Sequence, residues 1–203
     1  MEQLPFKIGM DAVDVIVTLV KAIFFNYLDF EIYTPLKNLE EEPKIIRLSI
    51  KRMLFNNSGK TVRVESQNIT IKKIKELISC LSKKEVLAVS SKVKILNMAE
   101  EFHIPMMDFK CEISKQNLEK IKEFLKFIHQ RGALLSSGRS YHFYGTRLLT
   151  QKEWLDFMAN CLLFEGFVDY RFIGHQLKLR HNTLRISTNE LRPTMPKVIA
   201  LVE

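Results

Sequence analysis

The sequence predicts an α+β fold, a sheet with helices on one face, preceded by a smaller α/β portion. The C-terminal half carries strand and helix signals in the order β-α-β-α-β-β, which is not the strict alternation of a doubly wound parallel sheet. Its helices show apolar residues at i, i+3, i+4 spacing behind recognisable caps. A length of 203 residues suits one domain. No linker rich in Pro, Gly or Ser divides the chain, so residues 1–100 read as the N-terminal portion of the same domain and 101–203 as its core.

Taken in order, 11–28 reads as an apolar helix. Its apolar run, Val13 to Phe25, is broken by Asp14 and Lys21 and is too short to span a bilayer. It also lacks the basic start and small-residue cleavage site of a signal peptide. An acidic loop follows at 36–43, then a helix or strand at 45–55 and an Asn-Asn-Ser-Gly turn at 56–59. Thr61 to Glu65 alternates as a strand, and Thr70 to Leu81 is an amphipathic helix with Lys72, Lys73 and Lys75 outward. Glu85 to Leu96 reads as one or two strands.

The core portion opens with a short acidic strand, Ile104 to Lys110. Ser114 caps a helix presenting Leu118, Ile121, Phe124, Leu125 and Ile128, which Gly132 is expected to end. Ala133 to Tyr144 reads as the next strand. Thr150 and Glu153 form a capping box for a helix expected to bury Trp154, Leu155, Met158 and Leu162. Val168 to Phe172 and Thr183 to Ser187 are expected to finish the chain as strands.

The net charge of +8 and a pI near 9.4 favour an anionic partner, nucleotide or nucleic acid. The excess is local: Arg171, Lys178, Arg180, Arg185 and Arg192 share their stretch with a single acid, Glu190. Cys80, Cys111 and Cys161 have neither disulfide-framework nor zinc spacing, which fits a reducing, cytoplasmic setting.

Three constellations carry chemistry. Asp108 stands at the mouth of an apolar strand, sharing a face with Lys110 and Glu112, where an oxygen-ligated Mg²⁺ or Mn²⁺ would want a carboxylate. Ser136-Ser-Gly-Arg-Ser-Tyr-His142 follows the next helix; Arg139, Ser140 and His142 are phosphate donors, and Gly138 permits a bulge or a close approach by ligand. Asp169 would add a second carboxylate, with Arg171, His175, Lys178 and Arg185 available to a triphosphate or a nucleic-acid backbone. Each group also has a plain structural role open to it: a solvated acid, a satisfied histidine, a basic hairpin.

This order of motifs resembles the archaeo-eukaryotic primase superfamily of primase small subunits and primase-polymerases, over about residues 104–190. Met107-Asp108-Phe109-Lys110 looks like its first motif, Ser140-Tyr141-His142 like its second and Asp169 like its third. The resemblance implies a palm-like sheet similar to an RNA-recognition-motif fold. It also implies two-metal nucleotidyl transfer to a nucleic-acid 3′-hydroxyl during DNA replication, with Asp108 and Asp169 as metal ligands and Ser140 and His142 on the incoming triphosphate. Lys110 departs from the pattern by replacing its second acid, and Tyr27-Leu-Asp29-Phe-Glu31 is a rival first motif. Three readings follow. One is a nucleotidyltransferase with Lys178 or Arg185 on phosphate. Another is an inactive primase-fold module in which Lys110 substitutes for the metal and the protein binds nucleotide, DNA or RNA. The third is an assembly protein using its apolar N-terminal helix for a protein partner.

Overall fold

The computed structural model describes residues 3–35, 59–95 and 98–203. The expected acidic loop, the element at 45–55 and most of the Asn-Asn-Ser-Gly turn lie outside the described residues.

Helix α1 (Ala12–Ala22) starts at Asp11, whose carboxylate accepts from the Asp14 amide while Asp14 reciprocates on the Asp11 amide. Its Val13, Val15, Ile16, Val17 and Leu19 are buried, so this apolar face is spent on the protein's own core. It is not a free docking surface for a partner.

Strands β1 (Tyr27–Tyr33), β2 (Lys60–Glu65), β3 (Val86–Lys94), β4 (Glu101–His103) and β8 (Leu149–Thr150) form one antiparallel sheet in the order β2-β1-β3-β4-β8, and β9 (Thr183–Arg185) joins it along β3. Helix α2 (Ile71–Ser79), capped by Thr70, inserts Ile74 beneath it. A second sheet has the order β10-β6-β7-β5, from β5 (Met106–Phe109), β6 (Gly132–Ser136), β7 (Tyr141–Gly145) and β10 (Lys197–Val202), again antiparallel. The fold is therefore α+β, as its element order predicts.

Side chains on successive strand residues point to opposite faces, and this sorts the core into two. Met107, Phe109, Tyr141 and Phe143 pack on one face of the second sheet against helices α3 (Lys115–Phe127), α4 (Gln151–Leu163) and α5 (Tyr170–Leu179). Met106, Leu135 and Tyr144 pack on the other face, with Phe30, Leu87 and Val89 of the first sheet. The helices thus lie on one face of the second sheet, and its other face looks onto the first sheet.

Several element expectations are corrected. The stretch 133–144 is a hairpin rather than one strand: Ser137-Gly-Arg-Ser140 is its turn, closed by the Ser137 amide on Ser140 O at 2.9 Å. Gly138 there has φ +100°, reserved for glycine by sterics. Of the stretch 168–172, expected as a strand, Val168 makes only an isolated bridge to Phe109, Asp169 is a helix N-cap and Tyr170 opens α5. Helix α3 ends before Gly132, with His129 taking the left-handed turn at φ 55°, and Gly132 opens β6 instead. Helix α4 buries Trp154, Phe157, Met158 and Cys161, leaving Leu155 and Leu162 about half exposed, at 45% and 46%. Spacing 154, 157, 158, 161 is one helical stripe; Leu155 and Leu162 fall outside it.

Candidate functional site

The site is built on the face of β5 and β7 that looks toward the first sheet. Asp108 and His142 stand directly opposite each other in the strand register. Opposed residues share a face and lie within side-chain reach. His142 Nε2 sits 3.8 Å from Asp108 Oδ1. Ser140, two residues earlier on the same side, donates its hydroxyl to that oxygen at 3.2 Å and meets Ser137 Oγ at 2.9 Å. Two sequence-predicted residues, Ser140 and His142, therefore converge on one carboxylate oxygen of a third, Asp108.

Their surroundings set their charges. Burial pushes the Asp108 carboxyl up to about 6; the Ser140 hydrogen bond and the charges of Arg185 and Arg192 pull against this, and Asp169 adds to it. The Asp108 side chain keeps 38% of its surface accessible from the rim, so solvent tempers the rise. The His142 side chain, only 6% exposed, is driven down to about 3 by burial and then by the Arg185 charge, so its imidazole is neutral at physiological pH. His142 Nδ1 and the hydroxyl of Tyr144, next along the same face, have no hydrogen-bond partner among the described residues.

Arg185, at the end of β9, supplies much of the field. Burial lowers its pKa, but a guanidinium remains charged under all ordinary conditions. Its Nη1 donates to the carbonyls of Ser187 and Thr194, the latter at 3.0 Å, and Nη2 to Ser137 O at 3.2 Å. Its donors are thus turned to the protein's own backbone.

Asp169 takes a different place. As N-cap of α5 it accepts from the Arg171 amide at 2.9 Å and from the Arg171 guanidinium at 3.1 and 3.2 Å. A bridge between Phe109 and Val168 brings it to the edge of β5, where Lys110 Nζ lies 3.4 Å from its Oδ2. Partial burial works to raise this carboxyl, but the Arg171 hydrogen bonds, then the Arg171 and Lys110 charges, hold it below the usual range. Asp169 and Lys110 therefore form a rim pair beside Asp108.

Arg139 is exposed at the hairpin tip. Lys178 is exposed nine residues along α5 from Asp169, about 13 Å away by helical rise. The rival acids of β1 are engaged elsewhere: Asp29 with Arg63 at 2.8 Å, and Glu31 with His181 at 2.6 Å and Thr183 at 3.1 Å.

A two-ion centre needs carboxylates around cations roughly 4 Å apart. Among the described residues no three His, Cys, Asp or Glu side chains gather. Asp108 is a single carboxylate with a raised pKa, and Asp169 is committed to two cationic side chains. This donor set does not fit a pair of divalent ions.

Sequence reasoning left three neighbours of the site unassigned. Tyr144 was within reach of it, since a period of two places it on the face of His142. Arg192 belongs to the basic stretch, but nothing in the stretch singles it out. Tyr33 comes from β1; burial pushes it up to about 12, and the charges of Arg185, Asp108, Glu31 and Arg192 all act on it.

The arrangement is that of an α+β palm carrying an acid, a hydroxyl and a neutral imidazole in register. Residues 65–197 match the archaeo-eukaryotic primase 1D-like (AEP-like) family model, more than half of the chain. The chain belongs to that family. Comparisons with curated proteins and with solved structures give no match.

Proposed function

We propose that the protein is a primase-fold module that binds the phosphates of a nucleotide or of nucleic acid at the Asp108, Ser140 and His142 cluster, without two-metal catalysis. The observation that carries this reading is the Lys110–Asp169 pair, 3.4 Å apart. The residue in the place of the family's second acid is a cation, and it neutralises the third. What gathers at Asp108 is a donor set suited to an anion: the Ser140 hydroxyl, the neutral His142 imidazole and the positive field of the arginines. Asp108 fits the same role once protonated. With a pKa already raised to about 6, an arriving phosphate raises it further, so binding takes up a proton and converts an acceptor into a donor.

Asp108→Asn discriminates this reading from catalysis. In metal-free buffer the variant should bind ATP more tightly than wild type at pH 8, and the difference should vanish near pH 5. His142→Ala should weaken binding about tenfold, the worth of roughly one hydrogen bond to a charged group. Unchanged affinity in both variants would remove the site assignment.

A second reading, nucleotidyl transfer, is favoured by the meeting of Asp108, Ser140 and His142 at one oxygen. Asp108 would then hold a single Mg²⁺ or Mn²⁺ together with the triphosphate. Primer synthesis in Mn²⁺ that Asp108→Ala abolishes would establish it over the first.

A further inference from the structure

The basic residue that sequence places most naturally on phosphate, Arg185, is spent on three backbone carbonyls. A different arginine, Arg192, is held on a turn in the segment after β9. Asn189 to Arg192 form a tight turn, with the Asn189 amide on Arg192 O at 3.1 Å and the Arg192 amide on Asn189 O at 3.2 Å. The Asn189 side chain fixes that turn twice. Its Oδ1 accepts from the Arg192 amide at 2.7 Å, and its Nδ2 donates to Lys84 O at 2.8 Å, tethering the turn to the segment that leads into β3. Two residues further on, Thr194 O accepts from Arg185. Thr194 also closes on the hairpin turn so tightly that a Cβ at Gly138 would stand 2.7 Å from it. The strap from 187 to 196 is thus held against the Ser137–Ser140 turn on one side and β3 on the other.

Arg192 rides on that strap. Among the described residues its side chain makes one marginal hydrogen bond, Nη1 to Leu191 O at 3.5 Å, and the residue is half-buried. Thr194, two residues further along the strap, packs against Gly138 in the turn that leads to Ser140, and the Arg192 charge acts on Asp108, Tyr33 and Arg185. A cation held by its backbone, half-buried on a strap that packs on the hairpin turn and acting on the charge of Asp108, has the chemistry of a phosphate ligand.

We propose that Arg192, presented by the Asn189-anchored turn, is the arginine that grips the ligand's phosphate, while Arg185 only positions the hairpin and the strap. This rests on the phosphate-binding reading above. A fork of donors on a fixed backbone suits two oxygens of a terminal phosphate, so the contact discriminates by phosphate and is blind to base and sugar.

Calorimetric titration at low salt with ATP and with inorganic tripolyphosphate tests it. Arg192→Ala should weaken both ligands at least tenfold, and by the same factor, because the contact is to phosphate alone. Arg192→Lys should recover part of the loss for both. Lys152→Ala, exposed on α4, removes the same charge from a distant surface and should change neither affinity more than twofold. Equal affinity of wild type and Arg192→Ala overturns the assignment to Arg192 while the phosphate-binding reading stands. A loss no greater than that of Lys152→Ala also overturns it, since net charge would then explain the effect. Absence of binding by wild type would overturn the phosphate-binding reading and this inference with it.

Discussion

At the scale of the residue, Asp108 and His142 are strained in opposite electrostatic senses. Asp108 has a folded pKa near 6 against an ordinary 3.8, so between those values the folded protein holds more protons than the unfolded chain. Stability then falls as pH rises through that window and does not return above it. His142 has a folded pKa near 3 against an ordinary 6.5. There the unfolded chain holds more protons, and stability falls as pH drops from 6.5 toward 3. Acidification therefore relieves one residue while penalising its neighbour. The groups facing Asp108 are Ser140 and His142 from the hairpin, Arg185, Arg192, Asp169, and the hydroxyls of Tyr33 and Tyr144. Asp108→Asn removes only its own titration and keeps an oxygen for Ser140. Melting temperature followed from pH 4 to 8 should show the variant more stable than wild type at pH 7 to 8, the gap closing by pH 4. A constant difference across that range would mean that the carboxyl is not perturbed.

At the scale of the element, the hairpin 132–145 decides where the donors point, and its turn depends on Gly138. A left-handed φ of +100° disfavours any side chain, and here the side chain would also meet Thr194 at 2.7 Å. Gly166 provides the comparison: φ is +80°, but nothing lies within 4 Å of its added Cβ. Gly166→Ala should cost only backbone strain, on the order of 1 kcal/mol, and Gly138→Ala up to about 3. Urea unfolding of the two variants checks this; equal losses would mean that the strap yields without cost. The same hairpin shows what the sequence conceals. Period-two patterning put Ser140 and His142 on one face and an acid strand near them, because alternation is a local property. It did not reveal the turn, since Ser-Gly-Arg-Ser reads equally as a bulge until pairing is known. Nor did it place Asp169, because a helix that begins on its own N-cap at Asp169 looks like a strand over its first residues, Val168 to Phe172. The Arg171 and Lys110 contacts that neutralise Asp169 depend on this helical start and on the Val168–Phe109 bridge. These are tertiary facts.

At the scale of the whole molecule, the two sheets share an apolar core, and Arg185 is one of the polar ties across it. Its backbone belongs to β9 and the first sheet, while its guanidinium bonds Ser137 of the second sheet's hairpin and Thr194 of the strap leading to β10. It thereby holds the hairpin turn and the strap against β9. It also sets the potential there, pushing His142 toward its neutral form and opposing the rise of Asp108. Replacing it with Met keeps the length and apolar stem but leaves three carbonyls without their donor, each worth about 1 to 3 kcal/mol when buried. Arg185→Met should therefore lose several kcal/mol in urea unfolding, and Arg185→Lys, which can still reach some of those oxygens, should lose less. Hydrogen exchange separates a clamp from a general stabiliser. In Arg185→Lys the amides of Ser137 and Arg192, bonded within the hairpin and the strap, should exchange far faster, while those of β1 and β3 keep their protection. Uniform acceleration across both sheets would show that Arg185 supports the core as a whole rather than clamping the hairpin and the strap.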